Sequence, residues 1–254
     1  MSFLVDLLTK QGLVTAFALV GVIIYLSHLI SKYLTGGRIH GSAIAILAGL
    51  ALAYAGGRIT GGLKGIADIP MFAGIGLLGG NLLRDFAIVA TAFEVDTVQA
   101  RRAGLLGAFA LGLGVIIPFT IGVVVARFYG YTDAVSLTTI GAGAVTYIVG
   151  PVTGAALGAS SPVMVLSIGV GVLKAIIVMI GTPFIAPFIG LNNPRSAMTY
   201  GGLMGTVSGV TGGLAATDPT LVPYGALITT FHTGVGCLAG PSILYFTVRA
   251  FTGG

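Results

Sequence analysis

Four ionisable side chains occur inside strongly apolar stretches of this sequence: Lys174, Arg84, Asp85 and His232. A charged group in an apolar medium costs several kcal/mol, so it usually faces a cavity or a partner of opposite charge. Lys174, Arg84 and His232 could together attract an anionic ligand. The alternative is internal pairing, most simply of Asp85 with Lys174 or with its neighbour Arg84, and a packing role for His232. Both interpretations stay open at this point.

A second group of polar residues stands next to glycine and proline, where a helix is expected to break. Such breaks expose backbone N–H groups, which suit carboxylates, or C=O groups, which suit small cations. Each residue of this group could also be an ordinary helix cap. The expected neutral donors to an anion are Asn81, Thr153, Ser208 and Thr211, and the expected sodium ligands are Asp218, Asp85, Thr217, Ser160 and Ser161.

The composition decides what kind of protein must position these groups. Only 7% of the 254 residues are charged, whereas 56% are hydrophobic and 42 are glycine. A soluble protein carries roughly 25% charged residues, so this chain lacks the polar shell that water requires. The composition predicts an all-α integral membrane protein in a lipid bilayer. Its basic residues are scattered, which argues against nucleic-acid binding.

Apolar windows of about 20 residues mark the expected crossings. Glycine and proline interrupt several windows, so we expect eight to ten transmembrane segments with at least two broken helices. The breaks are expected near Gly150 to Pro162 and near Gly209 to Pro219. The windows lie near residues 13–30, 42–56, 69–91, 104–126, 136–158, 162–189, 198–216 and 223–248.

One short pattern recurs three times along the chain. Residues 59–63, 152–157 and 210–214 each contain a β-branched residue, then threonine and glycine, and each precedes a polar pair and a proline. The first and third copies would point in opposite directions, as in transporters with inverted repeats. The alternative is chance recurrence of abundant residues. We treat residues 1–254 as one polytopic domain, with repeat halves of about 1–127 and 128–254.

Breaks rich in threonine and glycine, together with buried charges of both signs, favour a secondary carrier over a channel or an accessory membrane subunit. A channel would need a continuous polar stripe, which the sequence lacks. We expect no enzymatic activity, because no hydrolase, metalloprotease or nucleotide-binding motif occurs. We expect no cofactor beyond a coupling ion. That ion could be a proton relayed by His232 or a sodium ion held by oxygen ligands.

The amino-terminal part carries a resemblance to a known family. The run Leu13-Val14-Thr15-Ala16-Phe17-Ala18-Leu19-Val20-Gly21 leads through Ser31-Lys32-Tyr33-Leu34 to Gly36-Gly37-Arg38-Ile39-His40-Gly41. Together with the chain length, this resembles the MadM subunit of bacterial malonate/sodium symporters. The resemblance implies uptake of malonate with sodium across the bacterial cytoplasmic (inner) membrane. It also implies a smaller membrane partner, the MadL subunit, in a hetero-oligomer.

Overall fold

The computed structural model describes residues 2–37, 39–62, 65–78 and 104–253, and these residues form helices and turns with no strand. The all-α class predicted from the composition is therefore confirmed. The predicted residues Asn81, Arg84 and Asp85 lie outside the described part of the chain. The chain divides into two compact units, Met1–Phe93 and Glu94–Gly254.

The first unit is built on two long apolar helices. Its elements are α1 (Ser2–Lys10), α2 (Gly12–Leu34), α3 (Gly41–Thr60), short 3-10 turns at Gly65–Asp68 and Pro70–Phe72, and α4 (Gly74–Leu78). The start of α3 packs on α2, where a Cβ on Gly41 would lie 3.2 Å from the Cα of His28. Small residues permit this close approach of two helix backbones.

Three long helical segments form the frame of the second unit. They are α5 (Gly104–Phe128), α8 (Ser161–Ile185), and a carboxyl-terminal run of α11 (Val222–Ala239), a π-helical turn (Gly240–Leu244) and α12 (Tyr245–Thr252). In the described residues of both units, five helical segments are long and apolar enough to cross a membrane: the three above, Gly12–Leu34 and Ala43–Thr60. The protein is therefore a multi-pass membrane protein.

Residues 134–157 form a helical hairpin, which we call hairpin 1. Its arms are α6 (Ala134–Val145) and α7 (Val149–Leu157), and residues 146–148 form its tip. A Cβ on Gly150 would lie 2.8 Å from the Cα of Gly143, and one on Gly154 would lie 2.8 Å from Cγ2 of Thr139. Later residues of α7 thus contact earlier residues of α6, so the two arms are antiparallel.

Residues 194–215 form hairpin 2, with arms α9 (Pro194–Met204) and α10 (Val207–Ala215) and a tip at residues 205–206. The hydroxyls of Tyr200 on α9 and Thr182 on α8 are 2.7 Å apart. A Cβ on Gly213 of α10 would overlap the same threonine. Tyr200 and Gly213 therefore lie at one level, on either side of the tip, and the chain must reverse between them.

The two hairpins are attached to opposite ends of α8. Hairpin 1 leads into the first residue of α8, and hairpin 2 begins a short loop after its last residue. The 25 residues of α8 span about 37 Å, enough to cross the roughly 30 Å hydrocarbon core of a bilayer. The hairpins therefore enter from opposite faces. The predicted membrane crossings near 136–158 and 198–216 are therefore wrong. In each segment the chain forms one short helix and then turns back, because both arms pack against neighbouring helices.

Capping residues explain where the entering arms begin. The Asp133 side chain accepts a hydrogen bond from the Ser136 amide at 2.8 Å. Asn193 and Ser196 form a reciprocal capping box in front of α9. Both caps satisfy amides that a helix start leaves unpaired. Burial acts to raise the pKa of the Asp133 carboxyl, but hydrogen bonds from the Ser136 amide and hydroxyl outweigh it and hold the pKa below its usual range.

Each hairpin has its own apolar core. The first core joins α5, hairpin 1 and the end of the last helix, and the second joins the end of α8, hairpin 2 and the turn before α11. Apolar burial of this kind contributes about 25 cal/mol per Å². The first core contains Val115, Phe119, Leu137, Ile140, Val145, Val149 and Val248, and the second contains Val178, Leu191, Tyr200, Val210, Leu214 and Leu221.

Candidate functional site

The two hairpin tips meet beside one turn at the middle of α8. A Cβ on Gly171 would overlap the backbone nitrogen of Tyr147 in tip 1. A Cβ on Gly209, in the first turn after tip 2, would lie 2.8 Å from the carbonyl oxygen of Ala175. Residues 171–175 of α8 are thus bounded by hairpin 1 on one side and hairpin 2 on the other. We call this region the tip site.

Lys174 enters the tip site from α8. Its Nζ donates a hydrogen bond of 2.8 Å to the carbonyl oxygen of Val145. Val145 is the last residue of α6, and Thr146 beyond it is extended, with φ −155° and ψ 156°. The carbonyls at a helix end lack partners within the helix and form the negative end of its dipole. The ammonium group therefore compensates the exposed end of α6 inside the membrane-spanning unit.

His232 lies against the opposite tip. The residue is 0% exposed, and a Cβ on Gly205 would overlap its imidazole ring. Gly205 has φ +69°, a left-handed conformation that glycine adopts without strain. Neither ring nitrogen of His232 makes a hydrogen bond of good geometry among the described residues, although the backbone of Gly114 lies close to the ring. Lys174 lies within electrostatic range of the ring.

Hydroxyl groups complete the tip site. The Oγ1 of Thr206, in tip 2, is fully buried and has no partner in the described part of the chain. The Tyr147 hydroxyl donates across the tips to the Ser208 Oγ over 3.4 Å. A buried polar atom without a partner costs about 1–3 kcal/mol. The unpaired atoms of His232 and Thr206 therefore favour a site that a polar ligand fills.

Among the described residues of the second unit, Lys174 is the charged side chain at the tip site. Within residues 2–37, 39–62, 65–78 and 104–253, the acidic side chains are Asp6, Asp68, Asp133 and Asp218, and none lies in a long helical crossing of the second unit. Asp133 and Asp218 stand in the loops at the bases of the two hairpins. Among the described residues of the second unit, no carboxylate therefore lies at the tips beside Lys174, and an anionic ligand would complement its charge.

The structure brings three of the predicted substrate residues together and leaves others apart. Lys174, His232 and Ser208 surround the tip site. Thr211 instead donates to the Val207 carbonyl of its own helix at 2.8 Å. Thr153 is fully buried on α7, beyond the tip, where its unpaired Oγ1 faces Gly240.

The described sodium candidates lie at the hairpin bases. Ser160 and Ser161 are exposed at the start of α8. Thr217 donates to the Gly213 carbonyl at 2.8 Å, and Asp218 accepts from the Thr220 amide at 3.0 Å. The first pair follows hairpin 1 and the second follows hairpin 2, so opposite ends of α8 separate them. As sodium ligands all four stay predictions, and the structure does not join them in one site.

Tyr147, Thr206 and the Val145 carbonyl are the site groups that the sequence reasoning missed. One sequence signal could have found the tips. Thr146 follows the cap Asp133 by the same spacing at which Thr206 follows the cap Asn193. In both hairpins the entering arm begins after a capping residue and ends at a threonine in the tip.

Together, two opposed hairpins with a cationic site between their tips define a membrane protein built on the plan of a secondary transporter. The family comparison then gives the particular family. The family model described as "Malonate/sodium symporter MadM subunit" matches residues 4–252. The chain therefore belongs to the MadM family of malonate/sodium symporter subunits. No curated protein and no solved structure matches it.

Proposed function

We propose that this chain binds malonate at the tip site and carries it across the membrane together with sodium. The observation that supports this most is the cationic tip site: Lys174 and His232 lie where two broken helices meet, and no described carboxylate of the second unit lies at the tips. A small dianion supplies the missing acceptor atoms and the missing negative charge.

The two carboxylates of malonate suit the two sides of the site. Its carboxyl groups share one carbon, so they lie a few ångströms apart and can contact different tips. Lys174 would hold one carboxylate through a charge-assisted hydrogen bond, which is about twice as strong as a neutral one. An imidazole N–H of His232 and the hydroxyl of Thr206 would hold the other. Ser208 and Tyr147 would add neutral donors at the edge.

Alternating access follows from the opposed hairpins. In this proposal each hairpin separates the tip site from one membrane face, because its base lies at one end of α8 and its tip at the middle of that helix. Displacement of one hairpin would open the site to that face while the other keeps it closed. This is the arrangement that inverted, broken helices provide in secondary transporters.

Sodium is the proposed coupling ion. Unwound carbonyls and helix carboxyl ends bind sodium in transporters, and tip 1 offers such an end at Val145 and Thr146. Each charge moved across the membrane changes the free energy by about 2.3 kcal/mol per 100 mV. A dianion entering a negative cell therefore costs about 4.6 kcal/mol per 100 mV. Two sodium ions cancel this cost, and a third cation makes uptake driven by the potential.

The chain is proposed to act as one subunit of a symporter in the bacterial cytoplasmic membrane. The family description names a subunit, which implies further components. We propose that a smaller, MadL-like membrane protein completes the complex. The contributions of Asn81, Arg84 and Asp85 remain predictions.

Uptake by proteoliposomes tests this function. The complex is reconstituted, and labelled malonate uptake is measured under an inward sodium gradient at constant pH. We expect saturable accumulation that disappears when potassium replaces sodium. Accumulation that persists in potassium and collapses with a protonophore would support the alternative, a proton-coupled carrier using His232. Non-saturable flux that ignores every gradient would indicate a pore.

A further inference from the structure

The contact between Lys174 and Val145 places a fixed cation where a coupling cation is expected. The Lys174 ammonium lies 2.8 Å from the last carbonyl oxygen of α6. This oxygen belongs to a helix that ends inside the membrane-spanning unit, at extended Thr146. Such carbonyls are the groups that bind sodium in transporters. An ammonium group and a sodium ion cannot share the oxygen, because both carry a full positive charge.

Lys174 has donors to spare for a second partner. An ammonium group has three N–H donors and no acceptor. One donor reaches Val145, and in the described residues no other side chain accepts from Lys174. The unpaired atoms of His232 and Thr206 show where additional polar groups are needed at the tips. A carboxylate placed there would be a stronger acceptor for Lys174 than a neutral carbonyl.

We propose that Lys174 links the binding of sodium to the binding of malonate by exchanging between these two partners. Without substrate, its ammonium group occupies the Val145 carbonyl and excludes sodium from the end of α6. When malonate binds, Lys174 turns to its carboxylate and releases the carbonyl to a sodium ion. This inference rests on the proposed function of the tip site and adds the residue that couples its two ligands.

The exchange has a thermodynamic consequence. If malonate displaces Lys174 from the sodium ligand, malonate raises the affinity for sodium, and sodium raises the affinity for malonate by the same factor. Coupling of this type typically amounts to about 5- to 150-fold. Removing the ammonium group removes the competitor, so sodium binds to the empty protein more tightly and no longer depends on malonate.

The test measures equilibrium binding to the purified complete symporter. Labelled malonate is titrated with sodium present, and again with choline in its place at equal ionic strength. Labelled sodium is titrated without malonate. The variants are Lys174→Gln and Lys174→Arg, and Arg249→Gln is the control, because Arg249 lies in the last turn of α12, in the same unit but at the end of its helix.

For the unmodified protein and for Arg249→Gln, we expect sodium to strengthen malonate binding at least fivefold. For Lys174→Gln, we expect weaker malonate binding, a sodium effect below about twofold, and tighter sodium binding in the absence of malonate. Lys174→Arg keeps the charge and should keep most of the sodium effect. If Lys174→Gln does not fold, the test rests on Lys174→Arg. Loss of the sodium effect on malonate binding in Lys174→Arg overturns the proposal.

The inference and the proposed function fail in different ways. If the unmodified protein shows no sodium-dependent malonate binding, the proposed function is wrong. If it does, and Lys174→Gln retains the same sodium dependence, only the linkage role of Lys174 is wrong. Weaker sodium binding by Lys174→Gln without malonate would likewise show that Lys174 does not compete with sodium for the Val145 carbonyl.

Discussion

The contact between Gly205 and His232 predicts a large effect of one added methyl group. Alanine at position 205 would have to adopt φ +69°, and its Cβ would overlap the imidazole. The left-handed conformation costs roughly 1–2 kcal/mol for a residue with a Cβ. Overpacking against a buried ring adds about 1–3 kcal/mol. Gly205→Ala should therefore destabilise the closed tip by about 2–5 kcal/mol in all.

Two readouts follow from this magnitude. The free energy of unfolding in detergent should fall, which a thiol-reactive dye can monitor because Cys237 is the chain's single cysteine and is half-buried. Apparent malonate affinity should fall at least about tenfold, since each 1.4 kcal/mol corresponds to a factor of ten. Gly234→Ala is the matched control. It lies on the same helix as His232 and is exposed, and no atom lies within 4 Å of its added Cβ.

A double-mutant cycle separates the steric overlap from backbone strain. In a His232→Ala background the overlap is gone, so Gly205→Ala should cost only the strain of about 1–2 kcal/mol. The coupling energy in unfolding should then be about 1–3 kcal/mol. Strict additivity of the two substitutions would refute the packing of Gly205 on His232, as would equal losses for Gly205→Ala and Gly234→Ala.

Three further contacts can each be tested by substitution. Asp133→Ala should lower the free energy of unfolding by about 0.5–2 kcal/mol, whereas Asp133→Asn keeps the cap. The pKa of the Asp133 carboxyl is lowered in the folded state. The stability that the ionised carboxylate contributes is therefore complete above the ordinary carboxyl pKa and is lost as the pH falls through the lowered pKa. Thr182→Val leaves the buried Tyr200 hydroxyl unpaired and should cost about 1–3 kcal/mol, more than Tyr200→Phe, after which Thr182 still donates to a carbonyl of its own helix. Ser208→Ala should change unfolding by less than about 1.5 kcal/mol but weaken malonate binding roughly 2- to 10-fold in a titration; unchanged affinity would remove Ser208 from the site.

The membrane class and part of the site were predictable from the sequence for physical reasons. Scarce charge forces an apolar environment on the chain, and the cost of burying Lys174 and His232 marks both as residues that need a partner. Of the three copies of the threonine-and-glycine pattern, those at 152–157 and 210–214 lie on the return arms of the two hairpins, and the copy at 59–63 begins at the end of α3. The inverted repeat of the first and third copies stays a prediction.

The re-entrant path was not predictable from hydropathy. An apolar window has the same hydropathy whether the chain crosses the membrane or turns back, and the reversal depends on contacts such as Gly150 with Gly143. The role of Tyr147 arises only when tip 1 meets Ser208 in the first turn of α10. Asp218 was expected at a break because of the following proline. That break proved to be the base of hairpin 2 and not its tip.

The most direct measurement of the central claim is the distance between bound malonate and Lys174. The complete symporter with 15N-labelled lysine is reconstituted in sodium, and malonate with 13C-labelled carboxyl groups is added at saturation. Dipolar dephasing in solid-state NMR should reveal a lysine nitrogen about 3.5 Å from a carboxyl carbon, the separation of a charge-assisted hydrogen bond. The contact should vanish in Lys174→Arg, which retains the charge but removes the labelled site. Bound malonate without a lysine contact, or a contact that persists in Lys174→Arg, would contradict the assignment of the tip site.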